Sequence, residues 1–159
     1  MITKQLPNEI FIPIVIEELE SVEGKTVTLP LRGFSMRPFL EDQRDKALLI
    51  AAREITVGDV VLAEISKGHF VLHRIIALKG NRVTLRGDGN LNNEYCLTEH
   101  VKAKALGFYR KGRETLDSTD GLKWRVYSWF WLRLYPIRRY LLFALHPHIP
   151  QRFKRAKRP

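Results

Sequence analysis

Hydrophobic and polar positions follow two different periods along this chain. In the first part, PNEIFIPIVIEELESVEG, apolar residues recur at helical spacing from Pro7 to Gly24. Residues Pro7 to Glu9 resemble a helix start, and Gly24 provides a stop signal. The segment therefore predicts one short N-terminal helix.

Beyond Gly24 the period changes to that of β-strands. Six short segments are rich in β-branched residues and are separated by turn residues such as EDQRD, SKG and KGN. The six segments are KTVTLPLR, KALLIAA, GDVVLAEI, HFVLHRIIAL, NRVTLRG and VKAKALGFYR. The tripeptide Lys79-Gly80-Asn81 fits a tight hairpin between the fourth and the fifth. The pattern predicts a mainly β (α+β) fold, with an antiparallel, barrel-like folded sheet and one N-terminal helix.

From Gly121 the chain becomes both aromatic and basic. The segment GLKWRVYSWFWLRLYPIRRYLLFALHPHIP is rich in Trp, Tyr, Phe and Leu, and arginines interrupt it. Pro136 should break a helix, so we expect two short amphipathic helical pieces. The basic sequence QRFKRAKRP follows and is expected to be disordered. We therefore divide the chain into a domain of residues 1–120 and a helical appendage of residues 121–159.

The distribution of charge supports this division. The formal net charge is +10, yet residues 1–120 hold 17 Lys/Arg and 17 Asp/Glu. Residues 121–159 hold the other ten cations and no acid. Interfacial aromatics among cations favour a peripheral contact with an anionic membrane, while the alternative is that they pack on the sheet. No specific nucleic-acid partner is expected.

The start of the chain shows no secretory signal pattern, and no transmembrane helix is expected. These features favour a cytoplasmic protein or one that lies peripherally on the cytoplasmic membrane. Cys96 is the single cysteine, which excludes an internal disulfide and a thiolate metal cluster. We expect no metal and no cofactor.

Three residues are candidates for chemistry. Ser35 lies in LRGFSMRPFL, where Gly33 permits an unusual backbone, Pro38 fixes the exit, and the Ser35 nitrogen is a natural oxyanion donor. By itself the residue also fits an ordinary turn serine. His73 interrupts the apolar alternation of FVLHRII, as a base or as a half-buried strand histidine. Asp88 in LRGDGN is either a turn residue or the acid that orients His73.

Taken together and in order, GFSMRPFL, VGDVVLAEI, FVLHRIIAL and LRGDGN resemble the superfamily of type I signal peptidases and the self-cleaving domains of SOS and phage repressors. The resemblance covers roughly residues 28–110. It implies that Ser35 is the nucleophile within a serine box that also contains Gly33, Met36 and Pro38. Because histidine followed by arginine is the base of the archaeal and endoplasmic-reticulum type, it implies His73 as base and Asp88 as orienting acid.

The sequence thus predicts a serine endopeptidase that cleaves an extended leader- or signal-type peptide through a Ser-His(-Asp) site. Two alternatives stay open. One is a self-cleaving regulator, in which SVEGKTV would be the segment that is cut. The other is a non-catalytic adaptor for a membrane or for nucleic acid, in which the basic segment does the binding.

Overall fold

The computed structural model describes residues 8–145 and is mainly an antiparallel β-sheet with three helices. The helices are α1 (Asn8–Ser21), α2 (Leu122–Arg133) and α3 (Arg138–Leu145), with short 3₁₀ helices at Thr98–His100 and Tyr135–Ile137. The strands are β1 (Thr26–Pro30), β2 (Lys46–Ala51), β3 (Val60–Ser66), β4 (His69–Lys79), β5 (Arg82–Arg86), β6 (Glu94–Leu97), β7 (Val101–Tyr109) and β8 (Leu116–Ser118). Residues His146 and His148 and the basic sequence QRFKRAKRP lie outside the described residues.

The elements agree closely with the hydrophobic pattern. The predicted N-terminal helix is α1, and Gly24 follows it with a positive φ of 75°. Each of the six predicted strand segments contains a strand, and Lys79 pairs with Arg82 across the predicted hairpin. The helical appendage is interrupted around Pro136, as predicted. Strands β6 and β8 were not predicted, because each is short and follows turn residues.

The strands form one sheet in the order β1-β2-β7-β3-β4-β5-β6, and β8 pairs with β7 beside this path. Within residues 8–145, β1 pairs only with β2 and β6 only with β5, so the sheet is not closed. The predicted antiparallel sheet is confirmed, whereas its barrel-like form is not. Among these residues, no strand pairs with the outer edge of β1.

Apolar side chains cover both faces of the sheet. The two faces are separated most clearly on β3, where successive side chains point in opposite directions. Val60 and Leu62 belong to one buried cluster, together with side chains from α1 and α2. Val61 and Ala63 belong to a second cluster, together with side chains from β4, β5 and β6.

Helix α2 docks on the sheet through Trp124, which packs edge to face on Phe39 in the first cluster. The predicted boundary at residue 120 falls directly before this helix, and the two sides of the boundary share one core. Trp124 and Trp131 are buried. For these two residues, the structure matches the alternative in which the aromatics pack on the sheet. In residues 8–145, no helix combines the length and the apolar character needed to span a bilayer.

A buried ion pair joins the sheet to α2. Arg74 on β4 donates to both oxygens of Asp88, with Nε–Oδ1 at 2.8 Å and Nη2–Oδ2 at 2.7 Å. Its third nitrogen donates to Ser128 Oγ on α2 at 2.6 Å, and the guanidinium lies 4.7 Å from the centre of the Trp124 ring. Arg74 and Asp88 are each 1% exposed, so each charge relies on the other for its compensation.

We expect Asp88→Asn to lower the free energy of unfolding by about 3 kcal/mol, since it leaves the buried Arg74 charge uncompensated. Urea unfolding at neutral pH measures this loss. The control Asp120→Asn removes an exposed carboxylate and should change stability by no more than about 0.5 kcal/mol. Equal effects of the two substitutions would contradict the role given to the ion pair.

Candidate active site

Ser35 and His73 line the same cavity, of about 400 Å³. The serine comes from the loop between β1 and β2, and the histidine comes from the middle of β4. Apolar side chains from α1, β1, β3 and β4 form most of the remaining wall, including Phe11, Leu29 and Leu72. The structure thus brings two of the three predicted site residues together, although they are 38 positions apart in the sequence.

The serine loop is held by its own polar contacts. Gly33 has a φ of 87°, which a residue with a side chain rarely adopts, and its amide donates to Asp42 Oδ1 at 2.7 Å. Met36 is buried in the first apolar cluster, and its carbonyl accepts from the Leu40 amide. Pro38 follows a cis peptide bond. Gly33, Met36 and Pro38 therefore shape the loop, and the Gly33 amide is already engaged with Asp42.

Asp45 anchors the end of the same loop and was not predicted. It is fully buried, and its carboxylate accepts from the amides of Glu41 and Lys111 and from the Arg44 guanidinium. Burial by itself raises the pKa of Asp45, but the Arg44 hydrogen bonds and the two amides outweigh it and hold that pKa below its ordinary value. Asp45 therefore stays charged and ties the end of the serine loop to Lys111, which follows β7.

Glu94 holds the ring of His73. The distance from His73 Nδ1 to Glu94 Oε2 is 2.5 Å, and His73 is 4% exposed. In a neutral imidazole this contact places the proton on Nδ1 and leaves Nε2 as the acceptor. The hydrogen bond from His73 holds the pKa of Glu94 below its ordinary value of 4.5. A buried histidine with one fixed tautomer is what a general base requires.

The Gly-Asp-Gly loop after β5 packs directly against the serine loop. The Gly89 amide donates to the Ser35 carbonyl at 2.7 Å. A methyl group on Gly87 would overlap the Ser35 carbonyl oxygen and would lie 3.1 Å from His73 Nε2. Because position 87 carries no side chain, the Gly-Asp-Gly loop can pack against the serine loop. The same space lets His73 Nε2 face the serine loop.

Asp88 does not contact His73 but is bound to Arg74. Consecutive residues on a strand point to opposite faces of the sheet, so an acid paired with Arg74 lies away from the ring of the preceding His73. Asp88 also accepts from the Tyr127 hydroxyl at 3.1 Å, and Trp131 Nε1 donates to its carbonyl at 3.0 Å. Burial and the Asp88 charge raise the pKa of Tyr127 well above 10, so that its hydroxyl remains a donor. Glu94, and not Asp88, is therefore the acid that contacts His73.

Sequence reasoning missed Glu94 because β6 was not recognised as a strand. Glu94 pairs with Leu85 on β5, and this register places it at the end of the sheet where Gly87 leaves room beside His73. The only local signal is an acid that follows NLNN, which a surface loop would explain equally well. Recognition of β6 would have been needed to bring this acid into consideration.

Ser35 and His73 have the atoms needed for acyl transfer. Among residues 8–145, no hydrogen-bond partner engages the Ser35 hydroxyl or His73 Nε2, and no acceptor engages the Ser35 amide. Among these described residues, the Ser35 hydroxyl, the Ser35 amide and His73 Nε2 are thus all free to bind another group. Catalytic hydrogen bonds commonly tighten only when substrate is bound, so the open serine–histidine pair is compatible with this chemistry.

In the described part of the chain, no group of three or more His, Cys, Asp and Glu side chains comes together to hold a metal ion. Independence from metals and cofactors stays a prediction. The chain matches no family model, and no curated protein is similar enough to it to be matched.

The Glu94 pKa predicts how stability changes with pH. A carboxylate whose folded-state pKa is depressed stabilises the fold above its unfolded-state pKa, and this contribution is lost as pH falls through the folded-state value. Wild type should therefore exceed Glu94→Gln in unfolding free energy at neutral pH, and the difference should shrink below pH 4.5. Urea unfolding of both proteins between neutral and acid pH measures the difference. A difference that stays constant or grows in acid would contradict the predicted pair.

Proposed function

We propose that the protein is a serine endopeptidase that cleaves an extended leader- or signal-type peptide, with Ser35 as nucleophile and His73 as base. The observation that carries the proposal is that both residues line one cavity while Glu94 fixes the tautomer of the histidine. We also propose that the sheet is of the barrel-like signal-peptidase and repressor type. The order of the serine, histidine and Gly-Asp-Gly segments supports this part of the proposal.

The mechanism follows from the positions of these groups. His73 Nε2 takes the proton of the Ser35 hydroxyl as Oγ attacks the peptide carbonyl. The Ser35 amide donates to the oxyanion that forms, and the Glu94 carboxylate stabilises the imidazolium. The imidazolium then protonates the leaving amine, which yields an acyl-enzyme and the first product. Water, deprotonated by the same nitrogen, attacks the acyl group, and Ser35 leaves with the proton returned.

The surroundings of the site suit an extended and largely apolar substrate. Strand β1 has an open edge and runs into the serine loop, so a peptide can add to the sheet as an outer strand. The cavity beside Ser35 accepts apolar side chains, because Ile12, Leu31 and Phe70 contribute to its wall. Arg32 and Glu41 are the charged groups among its lining residues.

Cleavage of another chain is favoured over self-cleavage. Residues 21–27, which a self-cleaving regulator would cut, form the end of α1, a short turn and the start of β1. The Thr26 and Val27 positions are already paired with Ile50 and Leu49 on β2, so the sheet would have to open before this segment could be cut. As part of the proposal, we expect the peptidase in the cytoplasm or peripherally on the cytoplasmic membrane.

Substitution of the nucleophile tests the proposal. Ser35→Ala should abolish cleavage of a peptide library, because it removes the proposed attacking oxygen, and should leave the thermal midpoint nearly unchanged. Mass spectrometry of the library after incubation measures cleavage, and Ser66→Ala, on an exposed strand end, is the matched control. Cleavage by Ser35→Ala at the wild-type rate would end the peptidase proposal, and an inactive wild type would favour the non-catalytic adaptor.

The pH dependence of cleavage tests the base and its orienting acid. Cleavage should be lost in acid, since only a neutral imidazole accepts the serine proton. Glu94→Gln should lower kcat on the order of 10² or more, with a smaller change in KM, because the tautomer is no longer fixed. Glu54→Gln, an exposed carboxylate elsewhere, should leave both constants unchanged. A wild-type kcat in Glu94→Gln would contradict the role of Glu94 in orienting His73.

A further inference from the structure

Helix α2 has a second aromatic face that does not pack on the sheet. Its inner face carries Trp124, Ser128 and Trp131, which are at most 9% exposed. Its outer face is made of the exposed residues that recur at helical spacing on the other side. The outer face consists of Leu122, Arg125, Val126, Trp129, Phe130 and Arg133.

The apolar members of the outer face are well exposed. Trp129 is 52% and Phe130 54% exposed, and the two rings pack edge to face against each other. Arg133 lies over Trp129, with its guanidinium carbon 4.3 Å from the ring centre. Helix α3 adds Tyr140 and Phe143, which are 74% and 68% exposed. An exposed aromatic pair such as Trp129 and Phe130 is typical of a binding surface in a folded domain.

The positive charge of this surface indicates which kind of partner binds there. Residues 121–145 carry five cations and no acid. One of them, Arg138, is buried, and Lys123 contacts Asp117, so the net positive charge comes mainly from Arg125, Arg133 and Arg139. A symmetric contact with a second copy would set these cations against the same cations, which is unfavourable. An anionic partner with an apolar interior matches both the charge and the aromatic side chains.

We propose that the outer face of α2, with the exposed aromatics of α3, binds the surface of an anionic lipid bilayer. The aromatic rings enter the boundary between headgroups and acyl chains, and the arginines contact lipid phosphates. The helices lie in the plane of the interface, because arginines alternate with the aromatics along α2. This proposal does not depend on peptidase activity, since none of the residues of the outer face lines the cavity of Ser35.

Vesicle binding by the full-length protein tests this surface. Wild type should co-sediment with mixed phosphatidylglycerol–phosphatidylcholine vesicles and much less with pure phosphatidylcholine, and added salt should weaken the binding. Trp129→Ser/Phe130→Ser should weaken partitioning about tenfold, because two partly buried aromatic side chains are lost at the interface. The control Ile14→Ser/Val57→Ser removes apolar side chains that are each 52% exposed, and it should bind like wild type.

Tryptophan fluorescence adds a local measurement. Trp129 is exposed, whereas Trp124 and Trp131 are buried, so a blue shift on vesicles should vanish in Trp129→Phe while sedimentation remains. Vesicle binding by Trp129→Ser/Phe130→Ser at the wild-type level would overturn the proposal and move the contact to the basic sequence QRFKRAKRP. Concentration-dependent self-association that this double variant abolishes, without vesicle binding, would assign the surface to a second copy. Ser35→Ala should bind vesicles normally, so failure here and failure of the peptidase proposal are distinguishable.

Discussion

The ion pair between Arg74 and Asp88 is the contact on which the rest of the site depends. Both groups are buried, and Asp88 reaches Arg74 from the loop that follows β5. This loop is the one that meets the serine, through the Gly89 amide and the Ser35 carbonyl. An interaction on one face of β4 therefore fixes the position of groups on the other face, where His73 lies. The arrangement explains how an acid remote from the imidazole can still determine the geometry around it.

The two glycines of the Gly-Asp-Gly loop allow this loop to pack closely against the serine loop. Methyl groups at Gly87 and Gly89 would collide with carbonyl oxygens of the serine loop, at Ser35 and at Phe34. The serine loop is independently anchored by Asp45, which lies at its far end and binds Lys111 after β7. Each loop thus has its own buried carboxylate, and glycine allows the two to meet. For this reason His73 on β4 and Ser35 on the serine loop line one cavity.

Much of this architecture is encoded locally and could be predicted from sequence. Helical spacing identified α1, β-branched alternation identified six strands, and Lys79 to Asn81 identified a hairpin. Ser35 and His73 were candidates because the order of four segments resembles a peptidase superfamily, and His73 also interrupts an apolar alternation. The acid that contacts His73 could not be identified from the sequence, because Glu94 and Asp88 are both acids in turn-rich sequence. Only the pairing of β5 with β6, and the opposite directions of His73 and Arg74, decides between them.

Helix α2 uses its two faces for different interactions. Its inner face contributes three polar groups to the Arg74–Asp88 pair, since Tyr127 and Trp131 donate to Asp88 and Ser128 accepts from Arg74. These contacts require a fixed helix position, because each depends on a hydrogen bond at 2.6 to 3.1 Å. The outer face has no such constraint, and it carries aromatic and basic side chains instead. A ligand on the outer face therefore leaves the contacts with Asp88 intact. The helix can support the cavity and serve as a binding surface, because separate residues carry the two roles.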